Sequence, residues 1–177
     1  MKSTDTGQSS SSQPIDARAM RIGVVESLYH HEICRALTAG AVDAFHAAGG
    51  DAGNVVLVES PGSYELTAIA LALAERSDID AVVALGCVLT GETSHDRYIC
   101  DAIAHGLTSI TLRTGKPVAF GIITCITIEQ ARARAGGNKS NKGVEAMHAA
   151  IRATRTIGEI RAAEIRAAES AVAGARR

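Results

Sequence analysis

The sequence predicts an α/β fold, a three-layer α/β/α sandwich around a four-stranded parallel sheet. Three observations predict it. Four short segments are apolar along most of their length, as strands covered on both faces are. Between them lie longer stretches whose apolar residues recur at helical spacing. With 177 residues and 46% hydrophobic content, the chain can also bury one sizeable core.

The elements follow in order. Residues 1–20, rich in Ser, Thr, Gln and Asp, cannot bury enough apolar surface to order themselves and read as a disordered N-terminal tail. RIGVVES begins the domain as a strand. The helical stretch HHEICRALTAGAVDAFHAAGG comes next, with Ile33, Leu37, Ala41, Ala44 and Phe45 on one face and Gly49-Gly50 as its stop. NVVLVES is a strand and SYELTAIALALAERS a helix; DAVVALGCVL is a strand and SHDRYICDAIAHGLTSITLRTG a helix. KPVAFGIITC then gives the last strand, TIEQARARAGG a short helix, and a long helix closes the chain from about Asn141. The α/β domain spans 21–152, and 153–177 form a C-terminal helical extension. There EIRAAEIRAAE repeats every five residues, which builds no single clean apolar stripe, while Arg161–Glu164 and Arg166–Glu169 can pair at i,i+3.

Composition narrows the function. A formal net charge of −1 lacks the basic excess of a nucleic-acid or membrane-surface protein. No apolar run is long enough for a bilayer, and the polar start MKSTDTGQSSSSQPID has no signal-peptide core, so the expected location is cytoplasmic. Cys34, Cys87, Cys100 and Cys125 are scattered without a C-x-x-C pair, which reads as reduced thiols and not a metal site.

In parallel sheets, ligands sit beyond the carboxyl ends of the strands. Here those ends are ESLYHH, ESPGSYE, LTGETSH and TCITIEQ. In TGETSH, Gly91 permits close approach and the amides of Glu92, Thr93 and Ser94 stand where a helix begins. That suits an anion, or Thr93 or Ser94 simply caps the helix. His95, in the first turn, is either a proton carrier or a solvated histidine. Glu65 can accept hydrogen bonds from a polyol or complement a helix dipole, and Tyr29 is either core or a stacking platform. Arg134, Lys139 and Lys142 can supply cations to a phosphate or lie in a solvated loop. His46 and His105 fall within helices, with nothing to single them out.

Together and in this order, these segments resemble the lumazine synthase family. SPGSYEL is similar to the family's V-P-G-A-F-E-I, and LGCVLTGETSHDRY to L-G-x-V-I-R-G-x-T-x-H-[FY]-[DE]-Y. PVAFGIITCITIEQARARAG is similar to P-V-x-F-G-[IV]-L-T-x-x-x-x-E-Q-A-x-x-R-A-G, and NKG at 141–143 also matches. The resemblance runs from about Arg21 to Ile151.

It implies a flavodoxin-like fold and an enzyme of riboflavin biosynthesis. That enzyme condenses 5-amino-6-(D-ribitylamino)uracil with 3,4-dihydroxy-2-butanone 4-phosphate, giving 6,7-dimethyl-8-ribityllumazine, phosphate and water, with no metal or organic cofactor. By resemblance, Tyr29 stacks on the pyrimidine with His30 beside it, and Ser63, Tyr64 and Glu65 hold the ribityl chain. Cys87, Val88 and Leu89 line the ring's edge. Gly91, Glu92, Thr93 and Arg134 bind phosphate, and His95 moves protons. Phe120 and Lys142 match positions that reach in from a neighbouring subunit.

The implied partners are the small-molecule substrates, further copies in a homopentamer with sites at subunit interfaces, and riboflavin synthase. Some members close into icosahedral shells, toward which the short GGNKSNKG link leans. A non-catalytic lumazine-binding, shell or scaffold relative of the same fold is the alternative, which the presence of His95 and Arg134 disfavours. The chain departs from the family pattern at three places. Thr90 stands for an arginine, Asp96-Arg97 follow His95 where an aromatic and an acid are usual, and His30 replaces a frequent asparagine.

Overall fold

The computed structural model describes residues 15–175. Four strands, β1 (Ile22–Ser27), β2 (Val55–Ser60), β3 (Ala81–Leu89) and β4 (Val118–Cys125), pair in parallel in the order β2-β1-β3-β4. They alternate with α1 (His31–Ala47), α2 (Leu66–Ala74), α3 (His95–Thr114) and α4 (Ile128–Arg134), and α5 (Lys142–Ala175) closes the chain. The central strands explain the apolar runs. All of β1 and all but the last residue of β3 are buried, because helices cover both faces. The edge strands β2 and β4 instead leave Leu57 and Phe120 exposed.

Strand alternation divides the interior into two cores. Val24, Val83 and Leu85 face α1 and α5, packing with Leu37, Phe45, Met147 and Ile151. Val25, Val82 and Ala84 face α2 and α3, packing with Leu66, Leu73, Ile103 and Leu107. The result is the three-layer sandwich that the sequence predicts.

Three boundaries differ from the sequence reading. Residues 15–20, expected in the flexible tail, pack on the domain: Ala17 is fully buried and donates its N–H to the Ala48 carbonyl at 2.8 Å. Ile15 and Met20 rest against the α1/α5 core, so these few apolar side chains tie down the segment. The rest of the expected tail, residues 1–14, lies outside the described residues. The glycine turn after α4 is an antiparallel hairpin, β5 (Ala135–Gly137) with β6 (Ser140–Asn141). The last helix runs unbroken from Lys142 to Ala175, so extension and domain share one helix.

The hairpin ends in a clamp. Asn141 donates from Nδ2 to the Ala36 carbonyl of α1 at 2.8 Å, and its Oδ1 accepts the Gly143 and Val144 N–H groups at 2.8 and 3.4 Å. One side chain thus caps α5 and fixes it to α1. Gly143 makes the crossing possible, since a Cβ there would run into the Leu37 carbonyl. Gly143→Ala is expected to cost about 1–3 kcal/mol through overpacking. Asn141→Ala should cost about 1–2 kcal/mol through loss of the cap. Urea denaturation of the two variants checks both values, and an unchanged midpoint in either contradicts the clamp.

Candidate active site

The strand order reverses direction between β1 and β3, and loops leaving the two strands diverge there. A cavity of about 530 Å³ opens at this point, lined by residues 29–30, 62–65, 87–91, 93, 95–96 and 99. Beneath its floor lies a set of buried hydroxyls, of which Ser63 reaches the cavity. Ser63 Oγ donates to Ser27 Oγ at 3.4 Å, Ser27 Oγ accepts the Tyr29 N–H at 3.3 Å, and Ser60 Oγ donates to the Gly62 carbonyl at 2.8 Å. These bonds satisfy buried polar groups and set the directions in which the β1 and β2 loops leave the sheet.

On this floor stand the predicted side chains. Tyr29 is 65% exposed, so it is a rim platform and not core. Its carbonyl accepts the Cys34 thiol at 3.3 Å, and its ring meets the His30 ring edge-on at 4.7 Å. His30 has φ 56°, the left-handed region. Asparagine and histidine both enter that region more readily than most residues, so His30 meets the same backbone demand as asparagine. Across the cavity, the Glu65 carboxylate lies over Gly62, where an added Cβ would come within 2.9 Å of Oε2.

The third wall is the β3–α3 turn. Thr90 donates its N–H to the Cys125 carbonyl at 2.9 Å, which extends the β3–β4 ladder one step past Leu89. Ser94 occupies the N-cap of α3 without a side-chain cap bond, so hydroxyl capping does not describe this turn. The Arg97 N–H donates to the Ser94 carbonyl at 3.1 Å, and no side chain caps the N–H groups before it. Gly91, Thr93 and His95 line the cavity here, while Glu92, assigned to the phosphate from sequence, does not and is exposed.

Phe120, Arg134 and Lys142 are elsewhere. They line a second hollow of about 360 Å³ on the β4 edge, with Thr124, Glu145 and Ala149. Arg134, grouped with the loop amides in the sequence reading, is therefore not in its own chain's cleft. The sequence pattern gave its chemistry but not its side of the sheet. Thr127 and Gln130 hold α4 in a reciprocal cap: Thr127 accepts the Gln130 N–H at 3.3 Å and Gln130 Oε1 accepts the Ile126 N–H at 3.1 Å. Arg134 Nη1 donates to the Gln130 carbonyl at 3.0 Å, and Lys142 Nζ contacts Glu145 at 2.7 Å. Sequence reasoning also left Gly62, Thr90, Asp96 and Ile99 out of the site. Ile99 was findable, four residues after His95 on the same helix face.

The family model described as 6,7-dimethyl-8-ribityllumazine synthase matches residues 19–157. The chain belongs to the 6,7-dimethyl-8-ribityllumazine synthase family. A lumazine synthase of Kocuria rhizophila is 47% identical over 146 residues, covering 81% of this chain and 91% of the relative. Those of Thermus thermophilus and Aquifex aeolicus are 40% identical over 146 residues and 41% over 137. The first match covers 82% of this chain and 93% of the relative; the second covers 77% and 89%. α5 continues well beyond the lumazine synthase match, which ends at residue 157.

The cleft's thiols are poor acids. Burial pushes both Cys34 and Cys87 up to about 12 from the ordinary 9.0, and it also raises Cys125, where Arg134 partly opposes it. Cys87 therefore lines the cleft as an apolar wall and not as a nucleophile. No group of three or more His, Cys, Asp or Glu placed to hold a metal occurs among the described residues.

The raised thiol values carry a stability prediction. Unfolded chains release these protons near 9.0, whereas the folded chain holds Cys34 and Cys87 protonated to about 12. The unfolded state binds fewer protons in that window, so stability falls as pH rises through it. Cys34→Ala should flatten the fall in urea midpoint between pH 8 and pH 10.5. A slope equal to wild type refutes the assignment.

Proposed function

We propose that the chain is a working lumazine synthase, joining 5-amino-6-(D-ribitylamino)uracil to 3,4-dihydroxy-2-butanone 4-phosphate at sites shared between subunits. One observation carries the reading. The cavity gathers Tyr29, Ser63–Glu65 and His95 around an uncapped helix start, yet its lining holds no lysine or arginine. The matching cations, Arg134 and Lys142, sit with Phe120 in the separate hollow on the β4 edge. A phosphate substrate calls for charged donors, so the cleft is complete only when a neighbour's β4 edge closes it.

Such a contact joins two different surfaces of the same chain, and it closes into a ring. A homopentamer fits this requirement, with icosahedral assembly of pentamers as its extension. The exposed apolar groups on both sides suit it, with Leu28, Tyr29, Leu57 and Tyr64 at the cleft edge and Phe120 and Ile126 at the other.

Within the site, Tyr29 stacks on the pyrimidine and Glu65 with Ser63 engages the ribityl hydroxyls. The Gly91–Thr93 turn and the neighbour's Arg134 hold the phosphate. The 5-amino nitrogen attacks the ketone, and water leaves as the carbon–nitrogen double bond forms. The C3 proton is then removed as the carbon–oxygen bond to phosphate breaks. The resulting enol takes a proton on its terminal carbon to become a ketone, and the ribitylamino nitrogen attacks that ketone and closes the ring with loss of a second water. His95 accepts and returns protons at these steps. Binding both substrates side by side supplies most of the acceleration, since two molecules must meet in one geometry. Among the described residues no helix is long and apolar enough to cross a membrane. We place the enzyme in the cytoplasm, with a riboflavin synthase as the partner that consumes its product.

Mixing tests the shared site. His95→Ala and Arg134→Ala should each lose most lumazine formation, followed by product absorbance. Refolded together one to one, they should regain about a quarter of wild-type turnover, the chance that a site draws both intact groups from adjacent subunits. No recovery, with each variant assembling normally, means that Arg134 serves its own chain or no site at all.

A further inference from the structure

The β3–α3 turn is closed by a side-chain bond that no backbone pattern requires. Thr90 Oγ1 donates to Asp96 Oδ2 at 3.2 Å, across the five residues Gly91–His95. Both partners line the cavity with Gly91, Thr93 and His95. Thr90 is anchored from behind by its N–H on the Cys125 carbonyl. Asp96 lies in the first turn of α3, immediately after His95.

We propose that Thr90 and Asp96 are a positioning pair that fixes the amide turn and His95 for the phosphate-bearing substrate, doing the work of the absent N-cap. A helix start is ordinarily fixed by a cap side chain bonding the amides two or three residues on. A hydroxyl in that role here would reach for the Asp96 or Arg97 N–H, and the Arg97 N–H already donates to the Ser94 carbonyl at 3.1 Å. Ser94 makes no such bond. The Thr90–Asp96 link holds the start of α3 from the carboxylate side instead and uses none of the Gly91–Thr93 amides. The arrangement also gives the Asp96 carboxylate a donor on the strand, within the same wall that receives a dianion. An unanchored carboxylate in that wall would swing freely and repel the substrate.

This inference rests on the synthase reading, and the test separates the two. Thr90→Val removes the hydroxyl at constant shape. The KM for the four-carbon phosphate should rise about five- to tenfold, while the KM for the pyrimidine, held at the Tyr29 side, should stay within about twofold. Asp96→Ala should do the same, and the double variant should be no worse than either single one. Thr90→Ser and Asp96→Asn, which keep a donor and an acceptor, should recover most of the lost affinity. Additive losses, equal effects on both substrates, or a lowered melting temperature with unchanged KM values overturn the pair as a positioning device. Amide hydrogen exchange across 91–97 gives a readout independent of turnover, and should quicken in Thr90→Val. Lack of wild-type turnover would sink the synthase reading; unchanged exchange would sink the pair on its own.

Discussion

Parallel pairing of β1 with β3 is the constraint on which this molecule depends. A parallel pair cannot be closed by a tight hairpin, so each strand must cross over through a helix. β1 is followed by α1 and β2 on one side, whereas β3 leads through α3 to β4 on the other. Their loops depart in opposite directions and leave a crevice that the backbone itself cannot fill. Small and hydroxylated residues then shape its floor. A Cβ at Gly86 would stand 3.0 Å from Ser63 Oγ and 3.1 Å from Leu66, so the bare strand lets the α2 entry settle against β3. The buried serines tie the two loops over β1 and β2 to each other, and stability of the sheet becomes rigidity of the cleft.

The same topology separates charge. The cleft wall carries Glu65, His95 and Asp96, and the hollow on the β4 edge carries Arg134 and Lys142, with Lys142 already paired to Glu145 at 2.7 Å. Had both sets shared one pocket within a chain, the carboxylates would pair with the cations in the empty site and compete with phosphate. In the proposed ring they meet only where two subunits meet. Arg134 instead rests on a backbone carbonyl of its own helix, which orients the guanidinium without neutralising it.

The strands and most helices were legible because burial on both faces leaves an unbroken apolar run that polar competition does not blur. The cleft was legible because its residues are local to three strand ends: Tyr29, Ser63–Glu65 and Gly91–His95 each read as a loop beyond a strand. What escaped depends on long-range geometry. Arg134 and the cleft amides line different hollows, which a linear pattern does not distinguish. The ordering of Ile15–Met20 rests on one backbone bond to Ala48 and a few apolar contacts, too little to stand out against a polar tail. Asn141 reads as the start of the last helix, but its hold on the Ala36 carbonyl of α1, which makes it a clamp, has no local signal. Thr90 and Asp96 looked like separate departures from the family pattern. The fold brings them into contact at 3.2 Å, across a turn that a linear pattern does not close.

The carboxyl-terminal half of α5 follows a different rule from the rest. Through Met147, Ala150 and Ile151 the helix is buried against the sheet, and its register is set by packing. Beyond residue 158 it is exposed nearly all round, with Ile160 and Ile165 at 62% and 59%. A free peptide of that length would be marginal, because the first helical turn is costly to form. Here the buried turns supply that nucleus, and each further residue needs only propagation. The EIRAA repeat is rich in strong helix formers, and Arg155 approaches Glu159 at 3.9 Å one turn along. Arg161 donates to the Gly115 carbonyl at the end of α3, tying the first turn of the arm to the domain. The arm is helical because the domain starts it and its composition does not stop it, which is why a repeat with no clean apolar stripe still extends the fold's longest element.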